Sequence, residues 1–341
     1  MFVQSETQVI YGIAKLYVVT SLPPLPPFGI ETFLRVIFTF ATGPWAIITL
    51  VVEITASIWY FSAVKTLKDK GRNWPFARSI LWVFAMLACS VAFQSGVPLY
   101  AVHIFTVHIV QHLDLMIAVP IMLAMSAPVT LFMQTAPYSA KIKALKFLKS
   151  KGFRKLTNPI ITVLANNGIM FWFFLGHGIV IAMNHAVFMD FINIVFLLFG
   201  MLAWWPVVSP DFIGKKRYSH PLRVLLAASG MPFDAFLAIA LLPGGATSSI
   251  APTMYTLQSI QTGAAVFWIT IMFMSGIGAL VPLVGWLSLE KRETTRDEDR
   301  FETKHTLKST SKLGWWQDQT EIDKDGLITV PWATDNQKEA P

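Results

Sequence analysis

Seven apolar stretches recur along this 341-residue chain, near residues 44–64, 77–98, 104–126, 159–183, 186–208, 223–243 and 259–289. A helix rises 1.5 Å per residue, so about 20 apolar residues cross the roughly 30 Å hydrocarbon core of a bilayer. No water reaches that core, and a spanning segment must pair its backbone groups internally, which for isolated apolar runs means a helix. The expected fold is therefore all-α: a polytopic membrane helical bundle of about seven transmembrane helices. The seventh stretch is long enough to tilt or kink, with Gly276, Gly278 and Pro282 available for it. Composition agrees, because only 14% of residues are charged, where soluble domains carry about a quarter.

Two flanking regions complete the expected organisation. Residues 1–43 form an extracytoplasmic or interfacial segment: Val9 to Leu22 is apolar but short, Pro23, Pro24, Pro26 and Pro27 follow it, and residues 31–42 read as a helix lying at the interface. Residues 44–289 form the membrane domain. Residues 290–341 turn to Glu, Lys, Arg, Asp, Thr and Ser, too sparsely apolar to fold alone, and read as a disordered cytoplasmic tail.

The net charge of +7 could suggest a nucleic-acid partner, but its distribution argues otherwise. Sixteen of the eighteen Lys and Arg residues before position 290 fall in three loops, at 65–78, 141–155 and 215–223, while the connections near 99–103, 184–186 and 244–258 hold none. Basic residues beside spans stay on the cytoplasmic side. Strict alternation thus predicts seven spans with the N-terminus outside and the C-terminus in the cytoplasm of a cell inner (plasma) membrane. The cations report orientation; the partner is membrane lipid, with no nucleic acid.

Cys89 is the one cysteine, which excludes an intrachain disulfide and a Cys-x-x-Cys metal clip. Metal chemistry is left to His, Met and acids. His108 and His112 are spaced i, i+4 on the third span, one face of a helix, and Met116 continues that face. His177 falls near the outer end of the fourth span at similar depth, while His185 and Met189 lie at the outer start of the fifth. A lone membrane histidine is commonly a hydrogen-bond partner and a lone methionine a packing residue. A stacked pair with a third histidine at matching depth points instead to a metal, and imidazole with thioether suits copper, Cu(I) above all. Glu53, Asp114, Asp190 and Asp234 also lie within spans and read as hydrogen-bonding groups between helices.

Several segments taken together resemble a known family. They are Phe105-Thr-Val-His108-Ile-Val-Gln111-His112, Pro120, Ser126-Ala-Pro128-Val-Thr130, Trp74-Pro75, Asn158-Pro159, His177, and Ala203-Trp204-Trp205-Pro206-Val207. In this order and spacing the chain resembles the CtaG family of multi-span cytochrome c oxidase (caa3-type) assembly factors over about residues 44–289. The resemblance implies a non-enzymatic role in the respiratory chain, handling copper for the haem-copper centre of cytochrome c oxidase, whose subunits would be the partners. His108, His112 and His177 carry over as site residues. Where relatives often have a histidine early in the fifth span this chain has Met189, and where many carry Asp-Gln near the seventh it reads Gln258-Ser-Ile-Gln261-Thr-Gly263. Two other functions use the same residues: a copper transporter, which needs a second, deeper set of ligands, and a haem b-binding electron carrier with His112 facing His177.

Overall fold

The computed structural model describes Leu34 and residues 44–211, 218–242, 255–317, 321–322 and 328–329. The expected interfacial helix over 31–42 lies outside these residues, Leu34 excepted. The chain divides into two units, residues 1–283 and 284–341.

Among the first unit's described residues the regular structure is helical. The spans are α1 (Pro44–Asp69), α2 (Phe76–Gln94), a third built in pieces, a fourth broken in two, α11 (Ala186–Val208), a pair α12 (His220–Ala228) and α13 (Met231–Leu241), and the start of α14 (Leu257–Gln317). A short α3 (Val97–Ala101) precedes the third. Six helical stretches are long and apolar enough to cross a membrane, and a bent pair supplies the seventh when counted as one span. The expected all-helical membrane architecture is therefore present, with six candidate spans, or seven when the bent pair counts as one.

The third span runs from α4 (Phe105–Leu113) through a π-helical turn, Asp114–Ala118, into α5 (Val119–Met125), then α6 (Pro128–Thr135). The π turn inserts a residue into the helical ladder directly after His112, shifting every later side chain around the axis. Over its most apolar stretch the third span buries 61% of its residues, more than any of the other five continuous spans. Ala127, in the left-handed region at φ 56°, bends the chain before α6. The carboxylate of Asp211 accepts from the Thr130 and Val129 amides at 2.8 and 3.2 Å, satisfying donors that a helix start leaves open. Burial holds the Asp211 carboxyl above the usual carboxylate range, against the pull of those bonds and of the Arg78 cation. Beyond α6 come α7 (Tyr138–Lys149) and α8 (Lys151–Leu156), which carry the basic loop.

The fourth span is α9 (Pro159–Phe174) and α10 (Gly178–Asn184), bent by 62° at the intervening residues. A side chain at Gly178 would meet the Phe173 backbone and the Trp172 ring, so the sharp turn needs glycine there. Helix α11 packs on the third span at Gly200, whose missing Cβ lets the Met116 backbone approach. Between α1 and α2, Glu53 accepts from Ser90 at 2.6 Å and from Gln94 at 3.1 Å, the interhelical role expected of it. Arg223, counted among the loop cations, is buried on α12 and donates to the Val207 carbonyl.

In the second unit, helix persists to Gln317 and a two-residue antiparallel pairing joins Glu321–Ile322 to Ile328–Thr329. The segment read as a structureless tail is thus helical as far as Gln317. Extending a helix avoids the cost of nucleating one, and Glu, Lys and Arg are good helix formers.

Gly200→Ala forces the Met116 backbone away and should cost about 1–3 kcal/mol, the usual range for overpacking, seen as a lower thermal midpoint in detergent. An unchanged midpoint means that α11 and the third span do not pack as described. Asp211→Ala should cost about 1 kcal/mol, as loss of a helix cap does, with the chain still folding.

Candidate metal centre

The sequence spacing puts His108 and His112 one turn apart on α4, and packing decides the rest. Both rings are wholly buried, with Nε2 of one 2.8 Å from Nε2 of the other. Phe105 and Phe173 stack on His108, with centroids at 6.2 and 5.8 Å. Phe196 and Phe173 present edges to His112 at 4.5 and 5.0 Å. Phe174 and Tyr255 close the box. The Phe173-Phe174 pair comes from the last turn of α9, Phe196 from α11, and Tyr255 from the segment entering α14.

A 2.8 Å nitrogen pair is a hydrogen bond, and such a bond needs one ring to donate from Nε2 and the other to accept there. The acceptor then carries its proton on Nδ1. Neither Nδ1 makes a hydrogen bond of ordinary geometry. His108 does lie against the Ala101 carbonyl, to which the Tyr255 hydroxyl donates at 2.6 Å. The Tyr255 hydroxyl also contacts the Met183 sulfur at 3.7 Å. Burial keeps the Tyr255 phenol protonated well beyond the ordinary tyrosine range. It acts there as a fixed donor.

The other expected site residues are spread more widely. His177 is exposed at the bend before α10, and His185 is exposed between α10 and α11. Neither ring packs on the buried pair. Met116 is buried in the π turn, one turn inward of His112, and Met189 packs partly buried against the main core. Among the described residues, no three His, Cys, Asp or Glu side chains gather as a metal-binding group. The converging donors are two imidazoles. The facing His112–His177 arrangement that a haem carrier needs is not formed. Sequence reasoning missed the aromatic box, although the doublet Phe173-Phe174 at the depth of the histidines is a visible trace of it.

The comparisons with known proteins bear on this site. The family model of the cytochrome c oxidase caa3 assembly factors (Caa3_CtaG) matches residues 58–288, which include the histidine pair and all of its aromatic box. Uncharacterized proteins of Mycobacterium bovis and Mycobacterium tuberculosis are each 27% identical over 267 residues, covering 72% of this chain and 39% of theirs. An uncharacterized protein of Mycobacterium leprae is 24% identical over 304 residues, covering 81% of this chain and 43% of its own length. The chain thus spans about two fifths of the length of the curated relatives it matches. No solved structure matches it.

The shared hydrogen bond should be visible as two complementary tautomers in the nitrogen NMR spectrum of metal-free protein, one ring protonated at Nε2 and the other at Nδ1. Two identical tautomers would contradict the pairing.

Proposed function

The chain belongs to the family of cytochrome c oxidase caa3 assembly factors, and from that premise we propose that it holds Cu(I) at His108 and His112 and passes it to the haem-copper centre of an oxidase. The observation that carries the reading is the convergence of two buried Nε2 atoms at 2.8 Å. Metal–imidazole bonds are about 2.0–2.1 Å long, so the two nitrogens would part from hydrogen-bond contact to about 4 Å to hold Cu(I) between them, a movement of the two rings within their aromatic box. Delivery is then ligand exchange, with copper remaining Cu(I) and no electron transferred.

Loading requires that neither Nε2 carry a proton. The proton of the donating ring moves to its own Nδ1, a tautomer change without net proton release. Both Nδ1 atoms then become donors, and the Ala101 carbonyl beside His108 is ready to accept, as carbonyls behind metal-binding histidines commonly do. The aromatic box excludes water, which protects Cu(I) from oxidation and keeps the imidazoles from hydrating. In the plasma membrane, with the basic loops in the cytoplasm, the pair lies in the outer half of the bilayer. Copper from the extracytoplasmic side would reach it past the exposed His177 and His185.

Purified protein should retain Cu(I) against a competing chelator, and His108→Ala with His112→Ala should lose that copper. Cells lacking the protein should assemble oxidase of low activity, partly restored by added copper. A haem Soret band in the purified protein, or no copper retention by the wild type, would sink the assignment.

A further inference from the structure

One turn inward of the histidine pair, the same helices enclose a cavity with about 50 Å³ of free space. The third span offers Leu113 and Met116 to it where it offered His112 to the pair, and α9 offers Met170 and Asn167 where it offered Phe173 and Phe174. Asp234 of α13 and Ser275 of α14 complete the polar wall with Asn166.

These oxygens have no protein partners among the described residues. Asp234, 8% exposed, makes no hydrogen bond or ion pair, contrary to the interhelical role its sequence position suggests. The Asn166 amide oxygen is buried without a partner. The Asn167 amide nitrogen is spent on the Val163 carbonyl at 2.8 Å, which leaves its oxygen free. Ser275 is 3% exposed and equally unpaired. Gly230 leaves room for Asp234 and Asn167 to sit side by side: a Cβ there would be 3.5 Å from the Asp234 carboxylate and 4.0 Å from the Asn167 amide nitrogen.

Water could satisfy the amides and the hydroxyl, and the space suffices for it. A buried carboxyl is kept neutral by a proton or by a bound cation; an entering cation displaces that proton, and one carboxylate balances one positive charge, which favours a monovalent ion over a divalent one. The thioethers of Met116 and Met170, both on the wall and both nearly inaccessible, select a soft ion over sodium.

We propose that the Asp234 cavity is a second Cu(I) site, below the histidine pair, that makes the protein a two-station path through the bundle interior. The inference rests on the histidine reading for its first station only. It supplies the deeper ligand set that movement of copper toward the inner side would need. Met116 links the stations, since its backbone belongs to the π turn just after His112 and its side chain lines the cavity.

The test is a Cu(I) titration of detergent-purified full-length protein against a chelator. The wild type should bind two equivalents, Asp234→Asn one, His108→Ala with His112→Ala one, and the triple variant none. In the histidine double variant the remaining equivalent should shift the infrared carboxylate band of Asp234, a readout that does not depend on how Asp234→Asn folds. A single wild-type equivalent that the histidine variant abolishes would overturn the second site and leave the first standing. Two equivalents retained by Asp234→Asn, or an unshifted carboxylate band, would likewise overturn it.

Discussion

The structure depends on one constraint: inside a bilayer there is no water to satisfy a polar group that the protein leaves unpaired. Most of the interior obeys it in short local ways. Thr49 and Thr55 return their hydroxyls to carbonyls of their own helix. Glu53 collects Ser90 and Gln94 from the neighbouring helix, and the Tyr255 hydroxyl is anchored on the Ala101 carbonyl. Groups that break the rule are therefore informative. Others are scattered, among them Asp114, Asn193 and Trp205, but two sets are grouped. These are the outer nitrogens of the histidine pair and the oxygens around Asp234, one helical turn apart along the same walls.

That adjacency gives the π turn a purpose. A regular α-helix after His112 would keep Met116 on the histidine face. The extra residue rotates the chain there, while Gly200 lets α11 close against the displaced backbone. The histidines consequently sit in an aromatic box and Met116 in the wall of a more polar cavity. Low dielectric strengthens interactions in both chambers and raises the penalty for a polar group left unpaired in either.

Much of the fold was legible because its signals are local. Span length, Pro44 at the start of α1 and Asn158-Pro159 at the start of α9 lie within a few residues of what they specify. The break at Gly176 to Gly178 was not read, because apolarity carries through it and only the Trp172 and Phe173 contacts reveal why glycine is needed. The helical state of residues 290–317 was missed for a related reason: composition reports that the segment cannot nucleate structure, not that a preceding helix can extend into it. In the site, His108 and His112 followed from i, i+4 spacing. His177 matched them in depth along the membrane normal, but depth says nothing about which way a side chain faces around its helix, and that ring is exposed.

The sequence by itself determined that this is a many-span helical membrane protein, which pairs of residues share a helical face, and which family the chain resembles. These properties rest on the 1.5 Å rise, the 3.6-residue period and the cost of charge in lipid. Only the tertiary structure decided that the two imidazoles meet nitrogen to nitrogen in a box of aromatic rings, and that Asp234 faces a cavity rather than a hydrogen-bonding neighbour among the described residues. The reason is physical: rotation of each helix about its axis is set by packing against its neighbours, and no segment of sequence carries that information alone.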